Sequence, residues 1–286
     1  MTKLRQRMIE DLHIRNYSPR TVEIYTRHVA SFAKYFGKSP DQLDMEHIRE
    51  YQTYLAETKK ASWTKYNQTV CALRFLYSIT LSRPQLIEHI PFPRQEKRLP
   101  VVLSKQELER FFNAVGYLKH RTILMTMYAA GLRISEALAL QVTDIDGDRM
   151  TIFVRQGKGK RDRYTILSPR LLCQLREYWK ISKPKCWLFP GSTLDRPLSP
   201  CSVQRASCKA RLKARINKPV KTHTMRHCFA THLLEAGTDL RTIQLLLGHA
   251  DLATTTVYLH VATAALQSTK RTPDLLDLTA EDRIAS

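Results

Sequence analysis

Acidic residues are scarce in this 286-residue chain: 26 Asp and Glu stand against 46 Lys and Arg, a formal net charge of +20. An imbalance of that size, spread along the sequence rather than confined to a tail, points to a polyanionic partner. Clustered carboxylates are also lacking, which disfavours a metal-dependent nuclease. No stretch approaches the roughly twenty apolar residues of a membrane span, and the first fifteen residues contain no signal-peptide core. A cytoplasmic protein without a membrane partner is expected. The six cysteines, at 71, 173, 186, 201, 208 and 228, form no C-x-x-C pair, so they read as reduced packing or surface residues. Internal repeats and low-complexity tracts are missing too.

The length suffices for two domains with separate cores. Residues 1–95 read as all-helical. Ser18 and Pro19 make an N-cap and first-turn pair, after which Val22, Tyr25, Val29, Phe32 and Phe36 hold one apolar face until Gly37. Ser39 and Pro40 open a segment with Ile48, Tyr51 and Leu55 at helical spacing. Trp63, Tyr66, Val70, Leu73 and Tyr77 mark another helix, read as core rather than as base-stacking platforms. Pro84, Pro91, Pro93 and Pro100 surround a basic run and place a linker near residues 90–100, with a second domain over 96–286. There Ser104 and Glu107 form a capping-box pattern. Residues 151–155 and 163–167 read as strands of a hairpin around QGKGKRD, with Lys158 between two glycines at its tip. Ser168 and Pro169 open another helix.

Residues 223–258 gather the chemistry. Apolar Phe229, Ala230, Leu233 and Leu234 give one helix a buried face, and Gly237 stands where a left-handed cap ends it. Asp239 can cap the next helix, with Leu240, Ile243, Leu246 and Leu247, until Gly248. His249 follows at that helix end, and Asp251 can open a third. His223 and Arg226 lie three apart at a helix start, where both can reach one anion. His223 and His227 could also form a zinc pair, but no Glu adjoins the first and no third ligand is evident, so no metal is expected.

The order H-x-x-R-H, then L-G-H, then a tyrosine nine residues on resembles the signature of the tyrosine recombinases, the phage integrase family. AGLRISEAL at 130–138 resembles that family's first box, with Arg133 as its catalytic arginine. The resemblance makes Lys158 the catalytic lysine, with Lys160 as fallback, and completes the set with His223, Arg226, His249 and Tyr258. It covers nearly the whole chain and is closest to the compact, Xer-like type. The implied fold is mainly α with a small β-sheet in the C-terminal domain: a helical, SAM-like core-binding domain followed by the catalytic domain.

What the resemblance implies is a site-specific recombinase that cuts and rejoins double-stranded DNA through a 3′-phosphotyrosine, without metal, ATP or other cofactor. Arg133 and Arg226 would hold the nonbridging oxygens, and Tyr258 would attack. His223 is the expected base, Lys158 would protonate the departing 5′ oxygen, and His249 would donate to the phosphate. Glu136, one turn after Arg133, either orients an active-site group or forms a surface salt bridge. Lys65, Arg74, Lys160, Arg163 and Arg205 are candidate DNA contacts. A tetramer on paired recombination sites is implied, a second recombinase being an open addition, with the last thirty residues linking protomers. Two competing readings are a type IB topoisomerase and a non-catalytic DNA-binding regulator.

Overall fold

The computed structural model describes residues 2–94, 99–155, 162–249 and 251–262. The chain divides into two compact units, Met1–Lys97 and Arg98–Ser286.

The first unit is helical, with α1 (Lys3–Ile14), α2 (Pro19–Phe36), α3 (Met45–Thr53) and α4 (Trp63–Phe75). Local chemistry sets their ends. The Ser18 hydroxyl accepts from the Thr21 amide, Pro19 supplies the first turn, and Gly37 stops α2 at φ 64°, a left-handed conformation that costs glycine little. The segment after Ser39 and Pro40 is only a short 3-10 turn, Pro40–Gln42. The helix itself waits for Asp44, whose carboxylate accepts from the Glu46 and His47 amides, because those orphan donors need a side-chain acceptor. Met8, Leu12, Phe32, Leu43, Ile48, Tyr51, Leu55, Leu73 and Tyr77 bury into one core. Trp63 departs from the expected stripe. It begins α4, stays 37% exposed, and donates its indole N–H to the Pro93 carbonyl.

The second unit begins with α5 (Lys105–Ala114), held by the full Ser104–Glu107 capping box. Next come α6 (Leu118–Ala129) and α7 (Ile134–Leu138), then strands β1 (Ile145–Asp146), β2 (Thr151–Val154) and β3 (Arg163–Ile166). The strands form one antiparallel sheet in the order β1-β2-β3, with Thr151 opposite Ile166 and Val154 opposite Arg163. The hairpin thus carries a third, two-residue strand that its own pattern does not announce. Helices α8 (Pro169–Ser182), α9 (Pro200–Lys213), α10 (Thr222–Glu235), α11 (Leu240–Leu247) and α12 (Ala253–Thr256) complete the described residues. The main core joins Phe111, Ile123, Leu124, Met127, Leu132, Ile152, Val154 and Met225. A smaller cluster of Phe229, Ala230, Ile243, Leu247 and Tyr258 lies where α10 and α11 meet. Helix α10 packs on α6, and α11 touches both β3 and α12. That arrangement brings the start of α7, the first turns of α10 and the end of α11 to one place.

No helix among the described residues is long and apolar enough to cross a membrane.

Candidate active site

Gly131 turns the chain at φ 65° between α6 and α7, and Arg133 follows as the N-cap of α7. Glu136 reaches back to it: one carboxylate oxygen accepts from the Arg133 amide at 2.9 Å, the other from Arg133 Nη1 at 2.7 Å. Arg163 on β3 grips the same carboxylate with both terminal nitrogens, at 3.1 and 2.8 Å. Arg226 Nη1 lies 3.6 Å from it. Glu136 is 6% exposed, which decides between the two readings of this residue: it is an internal acceptor that orients guanidinium groups. Burial pushes its carboxyl up, but hydrogen bonds and charge from Arg163 and Arg133 prevail and hold it down at about 2. A buried anion among three guanidinium groups is tolerable only because it is so paired.

Arg226 is fully buried on α10. Its Nη1 donates to the Gly131 carbonyl at 2.7 Å and its Nη2 to the Leu247 carbonyl at 2.6 Å. Two chain turns therefore depend on one side chain. Burial, and then the neighbouring Arg133 charge, lower its pKa to about 9. Its Nε has no protein partner among the described residues, a buried donor that an anion would satisfy.

The histidines surround these cations. His249 follows the left-handed Gly248 and pairs its Nδ1 with the Thr255 hydroxyl at 2.9 Å. Burial first, and then the charges of Arg226, Arg133 and Arg163, press its pKa down to about 3. His223 keeps a solvent-accessible edge on α10, yet the surrounding protein, Arg226 and Arg133 lower its pKa too. One turn on, His227 packs edge to face against His223 with ring centroids 4.5 Å apart. Tyr258, just beyond α12, is 3% exposed. Its hydroxyl stands 3.2 Å from His227 Nδ1. Burial raises the phenol's pKa, while the charges of Arg226 and Arg133 pull against that rise.

The structure thus gathers Arg133, His223, Arg226, His249 and Tyr258 from the ends of separate helices. Lys158 and Lys160 lie outside the described residues. Of the candidate DNA contacts, Lys65 and Arg205 are exposed, but the other two turn to protein acceptors. Arg74 donates to the Ile90 carbonyl at 2.9 Å and sits over the Phe92 ring. Arg163 donates to the Leu246 carbonyl as well as to Glu136. It is an internal tie between the hairpin, α7 and the end of α11, because its aliphatic stem lies under Gly248, the residue before His249. Sequence reasoning passed over His227 as anything more than half of a zinc pair. The signal was its place beside Arg226 and one helical turn from His223.

The family model described as "Phage integrase family" matches residues 101–265, and the "Phage integrase, N-terminal SAM-like domain" model matches residues 4–87. The chain is 50% identical over 277 residues to a candidate integrase/recombinase of Sinorhizobium fredii, y4qK, covering 96% of this chain and 90% of the relative. It is 33% identical over 261 residues to the tyrosine recombinase XerA of Pyrococcus horikoshii, covering 90% and 88% respectively. Its fold matches a crystal structure of the XerH site-specific recombinase bound to palindromic difH substrate with a TM-score of 0.72, at 22% identity, over 90% of this chain and 80% of that one. The two arginines around a buried carboxylate, the histidines beside them and the tyrosine against the same pocket therefore sit in a member of the phage integrase family, and this chain is a tyrosine recombinase, a site-specific enzyme that breaks and rejoins DNA.

Proposed function

We propose that Tyr258 attacks the scissile phosphodiester, that a 3′-phosphotyrosine carries the strand between cleavage and rejoining, and that neither metal nor ATP takes part. The carrying observation is that Tyr258, remote in sequence, is buried in one cluster with Leu247, whose carbonyl accepts from Arg226, while its hydroxyl stands 3.2 Å from Nδ1 of His227, the residue next to Arg226; the charges of Arg226 and Arg133 pull the phenol's pKa down against its burial. Guanidinium groups match phosphate geometry and remain charged, so they offset the repulsion that an anionic ester presents to an incoming oxygen. The ester to tyrosine conserves the energy of the broken bond, and the 3′ end is resealed by reversal. Lys158 is the proposed acid for the 5′ oxygen and His249 a neutral donor to the phosphate. The net charge of +20 suits duplex DNA, and Lys65 and Arg205 are proposed contacts to it. The reading extends to a cytoplasmic tetramer on paired sites, bridged by residues 270–286, which lie outside the described residues.

The test is a suicide substrate whose nicked strand traps the covalent adduct. Wild-type protein should form an adduct at the 3′ phosphate and Tyr258→Phe none, with DNA binding retained. An adduct formed by the phenylalanine variant would overturn the nucleophile assignment. A 5′-sulfur leaving group should restore cleavage by Lys158→Ala, since a thiolate departs without protonation.

A further inference from the structure

The geometry points to His227, not His223, as the group that takes the phenolic proton of Tyr258 when it attacks. This inference rests on the nucleophile reading above. Within the pocket, the imidazole within hydrogen-bond distance of the hydroxyl is that of His227, at 3.2 Å through Nδ1. The two rings also pack together, with centroids 5.8 Å apart, and Tyr258 is all but sealed from water. Solvent is therefore a poor destination for the proton. His223 packs edge to face on the His227 ring, with centroids 4.5 Å apart, and is exposed on α10.

A base must first be in reach and only then suitably basic. With Nδ1 unprotonated, His227 accepts the hydrogen bond from the phenol. In the step itself the O–H bond breaks, the proton moves to Nδ1, and the oxygen's electron pair forms the bond to phosphorus. The P–O5′ bond breaks, and the 5′ oxygen receives a proton from the general acid of the proposed reaction. Burial and the neighbouring His223 and Arg226 keep His227 neutral in the free enzyme, with a pKa of about 4. A phosphate between the guanidinium groups would offset the Arg226 charge and make the ring a better acceptor. Proton removal would thus be favoured only with substrate in place.

His227→Asn keeps a polar atom near the Nδ1 position but takes up no proton. Adduct formation on the suicide substrate should fall by about 10²-fold, with the dissociation constant for the site within about twofold. Replacing Tyr258 with a fluorinated tyrosine, whose phenol ionises more readily, should restore most of that rate in the His227→Asn background and little in His223→Asn. An unchanged rate in His227→Asn, or rescue confined to His223→Asn, overturns the assignment. Loss of rate without rescue in either background overturns it too, since His227 would then only position the ring. Should His227→Asn lose DNA binding, His227→Gln replaces it under the same criteria. The nucleophile reading fails separately, through an adduct in Tyr258→Phe.

Discussion

Glu136 Oε1 lies 2.7 Å from Arg133 Nη1, so the carboxylate that caps the turn after Arg133 also aims its guanidinium. The same carboxylate holds Arg163. Glu136→Gln leaves the shape but weakens every charge-assisted bond. Adduct formation should fall by about 10²-fold through misplacement of the fork, while affinity for DNA holds or rises because one negative charge is lost. Suicide-substrate kinetics beside a binding titration check this; equal rates for both proteins would show that the fork needs no such support.

The two arginines should separate in their effects. Arg133→Lys keeps a cation at a partly exposed position and should cost less than about 1 kcal/mol of stability, yet lower cleavage by about 10²-fold or more through loss of the planar fork. Arg226→Ala strips donors from the Gly131 and Leu247 carbonyls and should cost about 3 kcal/mol in urea unfolding as well as activity.

Gly131→Ala tests the turn behind the pocket. A Cβ there would meet the Phe229 ring at 2.5 Å on a backbone with φ +65°. Overpacking and left-handed strain together should remove about 2 to 4 kcal/mol, read as a lower urea midpoint with an unchanged slope. A midpoint within error of the wild type would mean that the ring yields freely.

Acid should destabilise the protein well above the carboxylate range. In the fold His227 and His249 are held to about 4 and about 3, whereas an unfolded histidine titrates near roughly 6.5. Below that value the unfolded chain binds protons that the fold excludes, so stability declines as pH falls through the window from about 6.5 to about 3. Glu136, held to about 2, acts in a lower window: its contribution is present above the ordinary carboxylate pKa and lost as pH drops toward 2. Urea midpoints at pH 7 and pH 5 measure the histidine part. It should shrink in His227→Asn.

Local signals were legible without coordinates because each acts across a few bonds. Ser18 with Thr21, Ser104 with Glu107, and Asp239 with Thr242 are contacts between residues three apart, and the ordered histidines, arginines and tyrosine carry their own spacing. Ser39 and Pro40 open their segment as a 3-10 turn, and the helix that carries Ile48 and Tyr51 takes its cap from Asp44. Chain order says nothing of what meets across the fold. Arg163 and Glu136 are 27 residues apart, Tyr258 and His227 31, Arg226 and Gly131 95. Whether Arg163 faced phosphate or Glu136, and which histidine received the phenol, depended on how α10 and α11 pack against α6 and β3. A helical period shows that a face is buried, whereas its partner is chosen by the summed packing of distant segments; the residues of the site were therefore written in the sequence, and their pairing only in the tertiary structure.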